Sequence, residues 1–238
     1  MRLITLTAID IEEDMFDEYL ETQTETAEEI EQTFSIAGFN SVAIFNTYGI
    51  EASLTVDGVT QTISLIRDSI KDWWDYFFAP NRTGRDAVFY FPLQESGDAT
   101  LVISYPGGTA KCGLCITGYY KEIANTKFDL EIGISDYSRI ATDGFGQTYL
   151  AEGNWAKRAS ASLTLTNDKV DTTYREVIKN RATPCVFDYN EYSSSLGDTY
   201  TSEDGIQSLI VYGYTEDFSI SIKSAMYSNA KHESQGLI

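Results

Sequence analysis

Residues Ala52-Ser-Leu-Thr-Val56 and Ala161-Ser-Leu-Thr-Leu165 are nearly the same five-residue stretch, and this repetition decides the predicted fold. Each stretch alternates apolar and polar residues, as a half-buried strand does. Each is followed by residues with helical spacing that end in Asn-Arg, at Asn81-Arg82 in the first case and at Asn180-Arg181 in the second. The same order of elements therefore occurs twice, which indicates an internal duplication.

The duplication continues beyond the two Asn-Arg pairs. β-like runs begin at Val88-Phe89-Tyr90 and Val186-Phe187-Asp188, and alternating strands follow at 130–134 and 218–222. Strands of this kind around a single helix are typical of small sandwiches and split barrels. We therefore expect an α+β, mainly β fold: two tandem β-sandwich or split-barrel units, each with one packed helix.

The repeat also sets the expected domain boundaries. Residues 1–41 read as an N-terminal strand and an acidic arm, 42–140 as the first repeat, and 141–225 as the second. The Gly-rich stretch Asp143-Gly-Phe-Gly146 is interpreted as a hinge that links the repeats. The remaining residues, 226–238, are polar and are expected to form a flexible tail.

Two helices are predicted from apolar periodicity. The first begins near Ile63 and ends before Pro80, because proline disfavours helical geometry in the residue that precedes it. The second spans roughly Asp168–Lys179 and is expected to bury the apolar residues that match those of the first helix: Val170, Tyr174, Val177 and Ile178 match Ile70, Trp74, Phe77 and Phe78.

Negative charge is concentrated near the N-terminus. The net charge is −19, and eleven acidic residues with no basic residue lie between Asp10 and Glu31. Such a surface repels nucleic-acid phosphates and anionic lipids. This segment has helix-compatible spacing, and three roles are open: a solvated flap, an arm that docks on a basic partner, or the lining of a conduit for DNA.

The sequence shows no catalytic signature. It lacks a nucleophile elbow, a Walker loop and a zinc-protease motif. The one histidine, His232, lies in the polar tail, so no imidazole-based triad is expected. Cys112 and Cys115 have the spacing of a metal half-site but no second pair, and with Cys185 they are predicted to be buried free thiols. We expect no enzyme activity, no cofactor and no metal.

The Asn-Arg pairs have two interpretations. The asparagine can end its helix in a left-handed conformation while the arginine interacts with the helix dipole. Alternatively, the arginine can bind a carboxylate of a neighbouring subunit. The candidates for subunit contacts are Arg82, Arg85, Arg181, Glu28 and Glu29.

Residues of both repeats resemble the tube-type domains of long-tailed bacteriophages. The resemblance lies in Trp73–Arg82 with Val88–Phe91, and in Arg181–Phe187 with Ile210–Ile220, and it extends over residues 40–225. These segments are similar to tail-tip, or minor tail, proteins of siphophages, of the distal-tail or baseplate-hub type. Some hub relatives hold an iron–sulfur cluster on four cysteines, whereas this chain has three.

The resemblance implies a structural role in the virion. It predicts a ring, as a trimer or a hexamer, that continues the tail tube, contacts the tube protein and other tail-tip or baseplate proteins, and lets DNA pass without specific binding. The chain would be made in the host cytoplasm, and no membrane insertion is expected because no apolar run is long enough to span a bilayer. The alternative is a carbohydrate- or receptor-binding module of a phage tail.

Overall fold

The computed structural model describes residues 1–7, 14–17, 19–20, 22–65, 86–93, 96–142, 144–190 and 207–237. The chain is mainly β, as the sequence predicts, and the described residues contain a single α-helix. Two compact units divide the chain: the first comprises Leu6–Tyr120 and Tyr192–Gln207, and the second comprises Met1–Thr5, Lys121–Glu191 and Ser208–Ile238. Short 3-10 helices span Asp14–Phe16, Asn167–Lys169 and Gln207–Leu209.

The first unit is built from antiparallel strands around one core. Its strands are β2 Thr24–Ile36, β3 Ser41–Phe45, β4 Glu51–Val56, β5 Val59–Ser64, β6 Ala87–Tyr90, β7 Gly97–Cys112 and β8 Leu114–Glu122, of which residues up to Tyr120 belong to this unit. Four of them form a sheet in the order β2-β7-β4-β5, and β3 lies between β6 and β8. Side chains from both groups of strands share one core, among them Phe34, Leu54, Leu101, Ile44 and Phe89.

The hairpin of β4 and β5 replaces the predicted start of the first helix. Ile63 lies in β5 and is fully buried, so the prediction of a helix from this residue is wrong. Asp57 and Gly58 join the strands with positive φ angles of 49° and 75°. This is the backbone that a two-residue hairpin turn requires, and the Asp-Gly pair is a typical sequence for it. The rest of the predicted first helix lies outside the described residues.

The acidic segment is a strand over part of its length. β2 pairs with β7 from Thr24 to Ile36, which corrects the prediction of a helix and of a separate arm for these residues. Phe34 and Ile36 are buried, so removal of β2 would uncover part of the core. The ladder is interrupted by a bulge at which Glu28, with φ 68°, lies opposite 105–108. Pro106-Gly-Gly108, a composition typical of a turn, therefore belongs to a bulge within β7.

The second unit contains the helix and the remaining strands. Its elements are β1 Arg2–Thr7, of which residues up to Thr5 belong here, β9 Asn125–Asp136, β10 Arg139–Thr142, β11 Thr148–Ala151, β12 Trp155–Thr166, α1 Val170–Lys179, β13 Cys185–Asp188, β14 Ile210–Ile222 and β15 Tyr227–Gly236. Six strands follow the order β1-β13-β14-β15-β12-β9, and the pairs are antiparallel. The core includes Leu3, Leu163, Phe187, Val211 and Ala230.

Helix α1 confirms the predicted second helix, but its orientation about its own axis differs. Thr173 and Val177 are buried, and the Thr173 hydroxyl donates a hydrogen bond to the carbonyl of Ile123 at 3.2 Å. Tyr174 and Ile178, which the sequence predicts as core, are exposed by 52% and 45%. The buried face is therefore centred on the neighbouring positions.

The end of α1 differs from the predicted cap. Asn180 has φ −98°, so it is not left-handed, and its side-chain amide donates to the carbonyl of Glu176 at 2.9 Å. The left-handed residue is Ala182, with φ 56°. Arg181 follows the helix and is exposed.

The predicted flexible tail is strand β15, between β14 and β12. Ser228, His232 and Ser234 are fully buried on it, so the prediction of a polar, mobile end is wrong for 227–236. Low hydropathy misleads here because these small polar groups make their hydrogen bonds inside the unit.

The equivalence of the two repeats remains a prediction. β4 is followed by β5 through a turn, whereas β12, which contains Ala161–Leu165, is followed by a 3-10 turn and α1. Strand β9 was expected to close the first repeat, but it pairs with β12 and belongs to the second unit. The strands at 87–90, 185–188 and 210–222 lie where the sequence predicts them.

Candidate assembly surface

β10 and β11 form a two-stranded ribbon that extends the pair β9–β12. The β9–β12 ladder ends with Asp136 opposite Trp155, and the amide of Tyr137 then donates to the carbonyl of Asn154 at 3.0 Å. Pairing resumes after a short interruption at Gly153, where an added Cβ would lie 2.6 Å from the Tyr137 carbonyl oxygen. The ribbon strands are therefore a continuation of the sheet edge, and residues 144–146 of the predicted hinge lie at the end of the ribbon, while Asp143 lies outside the described residues.

The strand residues of the ribbon are exposed without exception. All four residues of β10 and all four of β11 are exposed to solvent. Ile140 and Leu150 are directly paired and therefore point to the same side, with 71% and 74% of their surfaces accessible. A two-stranded hairpin without further packing is marginally stable at best in water. Within the described part of the chain, the side chains of Ile140 and Leu150 therefore lack the cover that stabilises a hairpin.

The apolar surface continues onto the sheet below the ribbon. Ile132 and Ile134 of β9 are paired with Ala159 and Lys157 of β12, on the same face as the core residue Leu163. Unlike Leu163, the two isoleucines are exposed by 45% and 66%. Of the seventeen large apolar or aromatic side chains that are exposed among the described residues, eight lie between 132 and 155. A group of exposed apolar side chains in one region is typical of an interaction surface.

The charge of this region differs from that of the whole chain. Residues 137–157 contain two basic residues, Arg139 and Lys157, and two acidic residues, Asp143 and Glu152. Their net charge is zero, while the chain carries −19. Two copies that meet here avoid much of the mutual repulsion that two strongly acidic surfaces would otherwise cause.

The only histidine of the chain is part of a buried network and not of an accessible site. His232 Nδ1 lies 2.7 Å from the hydroxyl of Tyr189, which donates to Ser234 Oγ at 2.8 Å, and His232 Nε2 lies 3.1 Å from Thr215 Oγ1. Burial lowers the pKa of His232 to about 3. The imidazole is therefore neutral near pH 7, and its polar atoms serve to hold β13, β14 and β15 together.

The three cysteines are buried, as the sequence predicts. Burial raises the pKa of Cys112 to about 12 and that of Cys185 to about 11, and it also raises the pKa of Cys115. A thiolate is the reactive and metal-binding form, and it is disfavoured at these positions near neutral pH.

The sequence-predicted contact residues fall in different places. Arg181 is exposed directly after α1, and Glu28 and Glu29 are exposed on β2. Arg82 and Arg85 lie outside the described residues. Sequence reasoning missed the ribbon, although its signal is present: two short stretches that contain Ile140 and Leu150 flank a Gly-rich turn, as the strands of a hairpin do.

Comparisons with known proteins leave the family open. No protein-family model matches the chain, and no curated protein is significantly similar to it. Within the described residues, no helix has the length and apolar character to cross a membrane. In the same residues, no three His, Cys, Asp or Glu side chains are grouped so that they could hold a metal ion.

Proposed function

We propose that the chain is a non-enzymatic structural subunit of a bacteriophage tail tip or baseplate, where copies of it form a ring that continues the tail tube and lets DNA pass. The observation that carries the proposal is the exposed apolar ribbon of β10 and β11. A chain that retains such a ribbon in water gains stability when another chain covers it. An assembly subunit explains this feature directly.

Two further features support a conduit through which DNA moves. The chain is mainly β. Its segments Trp73–Arg82 and Arg181–Phe187 resemble segments of tail-tip proteins. Its net charge of −19 also suits a channel for DNA. DNA binds proteins chiefly through basic groups that displace counterions, so an acidic lining lets it slide.

The first test is whether the full-length chain associates through the ribbon. Light scattering over a wide concentration range, together with electron microscopy, should show rings of the wild-type chain. The double variant Ile140→Thr/Leu150→Thr keeps β-branched or strand-compatible side chains but removes apolar surface. Full burial of such a side chain contributes about 1.5–3 kcal/mol. Association should therefore weaken more than tenfold, since about 1.4 kcal/mol is a factor of ten.

The matched control is Val59→Thr, an exposed apolar residue of the β4–β5 hairpin. This variant should associate like the wild-type chain. A wild-type chain that stays monomeric at every concentration would exclude a self-assembling ring. Mass spectrometry of virions produced from the genome that encodes the chain then tests the tail itself: the chain should be present in stoichiometric amount in purified tails.

A binding module of the tail is the second candidate, and one observation favours it. Trp155 and Tyr137 are both more than half exposed at the junction of the sheet and the ribbon. Exposed aromatic rings of this kind can stack on sugar rings. A glycan array separates the two functions: a signal that disappears in Trp155→Ala while ring formation persists would support carbohydrate binding.

A further inference from the structure

Helix α1 presents a basic surface with an apolar centre. Tyr174 and Ile178 are one turn apart and exposed, as described above, and Arg175 and Lys179 are exposed beside them. Arg181 adds a third cation just beyond the helix. In a chain with a net charge of −19, this is an unusual surface.

These cations are not neutralised within the described part of the chain. Glu176 lies on the same helix, but it forms an ion pair with Lys121 at 2.7 Å. Neither Arg175, Lys179 nor Arg181 has a carboxylate at ion-pair distance among the described residues. Asp171 is also exposed, but it lies in the first turn, where the helix dipole favours a negative charge. The C-terminal half of the helix therefore carries uncompensated positive charge.

The outer face of the four-stranded sheet in the first unit carries the opposite charge. Glu29 and Glu31 alternate with the buried Ile30, so both point away from the core. Glu51 of β4 shares a row with Glu29, because both residues are paired with Ser104 of β7. Among the described residues, no basic group lies at ion-pair distance from these three carboxylates, whereas Glu25 is already paired with Lys111.

The spacing of the charges on the two surfaces agrees. Arg175 and Lys179 are one helical turn apart, which is about 6 Å along the axis at 1.5 Å per residue. Glu29 and Glu31 are two residues apart on a strand, which is roughly 6.6 Å at 3.3 Å per residue. Val102, only partly buried, is paired with Glu31 on the same outer face and offers an apolar contact beside this carboxylate.

We infer that α1 of one copy docks on the outer face of the β2-β7-β4-β5 sheet of a second copy, with Arg175 and Lys179 opposite Glu29 and Glu31. Tyr174 and Ile178 then cover Val102. The contact joins two different surfaces, so it is heterologous, and contacts of this kind close into rings or continue as filaments. It rests on the proposed function, because it requires copies of the chain to meet. It also gives Glu29, one of the predicted contact residues, a partner in a second copy.

Charge reversal on each side tests this contact. Arg175→Glu/Lys179→Glu places four carboxylates together at the interface, and Glu29→Lys/Glu31→Lys places four cations there. Like charges at an interface are strongly unfavourable, so each double variant alone should weaken ring formation at least tenfold. A mixture of the two double variants should associate again, because each supplies the charge that the other lacks. Restoration in the mixture is a result that a purely structural effect would not give.

Two control variants change the net charge by the same amounts at other exposed positions. Lys127→Glu/Lys223→Glu matches the helix variant, and Glu131→Lys/Asp217→Lys matches the strand variant without changing the proposed docking face. Both should form rings like the wild-type chain, and circular dichroism should show all variants folded. Rising salt should weaken the wild-type contact, since the screening length falls from about 10 Å at 0.1 M to about 3 Å at 1 M.

The possible results separate the two proposals. Rings that form normally in both charge-reversed variants, or a mixture that stays dissociated, would overturn the contact between helix and sheet and leave the proposed function intact. A wild-type chain that forms no rings would overturn the proposed function and, with it, this contact.

Discussion

The molecule contains two hairpins of similar length with opposite surroundings. In the β4–β5 hairpin, Ala52, Leu54 and Ile63 are buried on one face, while Thr55 and Thr60 lie on the other. In the β10–β11 ribbon, both faces are exposed, and Leu150 has 74% of its surface accessible where Leu54 has 1%. The strand pattern is similar in the two regions, but only one of them has a core beneath it.

The difference shows what a β-hairpin needs in order to be stable. Hydrogen bonds across two strands contribute little net free energy, because the same groups bond to water in the unfolded chain. The burial of an apolar face supplies most of the stability. The β4–β5 hairpin obtains this burial inside its own unit, and under the proposed function the ribbon obtains it from another copy.

The largest expected effect is the loss of stability when a leucine of one hairpin is replaced by alanine, compared with the same change in the other hairpin. Leu54→Ala should lower the free energy of unfolding by about 2–5 kcal/mol, because it leaves a cavity in a packed core. Leu150→Ala should change it by less than about 0.5 kcal/mol, because the side chain is in water. Urea unfolding of the dilute chain, monitored by circular dichroism, measures both values.

The same two variants give opposite results in assembly. Leu150→Ala should reduce ring formation, while Leu54→Ala should affect it only through unfolding. Equal losses of stability in the two variants would mean that another part of the chain covers the ribbon, and the comparison would then fail.

A second prediction concerns the covered part of the sheet that carries the ribbon. His232 is buried, and its pKa of about 3 lies below the ordinary value of 6.5. Between these values the unfolded chain binds more protons than the folded one, so stability falls as the pH is lowered from 6.5 towards 3. The loss is up to about 1.4 kcal/mol for each pH unit. The neighbouring charges act on His232 in opposite directions, since the N-terminal ammonium lowers its pKa and Glu233 raises it.

The variant His232→Phe isolates this contribution. The acidic residues titrate in the same range in both proteins, so the difference between the two stability-versus-pH curves reports His232. The wild-type curve should fall more steeply below pH 6.5. Parallel curves would show that His232 has the same pKa in the folded and the unfolded chain, and therefore that the network with Tyr189 is not closed to water.

The strands and α1 could be predicted from sequence because their patterns are strong. The β-like run at 186–188 and the alternation at 218–222 agree with β13 and β14, and helical spacing agrees with α1. The buried face of α1 is predicted only in part: Val177 is buried as expected, but Thr173 is buried in place of the more apolar Tyr174 and Ile178, because it donates a hydrogen bond to Ile123. Periodicity measures hydropathy and does not see such a bond.

The candidate surface could be predicted less well. The ribbon and the exposed isoleucines of β9 look like core strands in the sequence, because an uncovered apolar strand and a covered one have the same alternation. Only the position of each strand relative to its neighbours distinguishes them. For His232 the prediction failed in the opposite way, because a buried strand was taken for an exposed tail. A strand of small polar residues resembles a loop until its buried partners, such as Tyr189, are known.

The smallest expected effect compares one cross-strand pair in each hairpin. Thr55 and Thr60 bring their hydroxyl oxygens to 2.8 Å across β4–β5, and Thr142 and Thr148 bring theirs to 3.4 Å across the ribbon. A cross-strand pair of this kind contributes about 0.2–1 kcal/mol. Thr55→Ala should lower the free energy of unfolding by this amount, because β4–β5 unfolds together with its core. Thr142→Ala should leave the unfolding midpoint unchanged, because a ribbon without a core can open while the unit stays folded.

Urea titrations of the dilute chain measure both variants, and amide hydrogen exchange at 139–151 then tests whether the ribbon opens by itself. Protection of these amides should be low in the monomer and should rise on assembly. If Thr142→Ala shifted the midpoint as much as Thr55→Ala, the ribbon would unfold cooperatively with its unit, and the two hairpins would not differ in the way that their burial indicates.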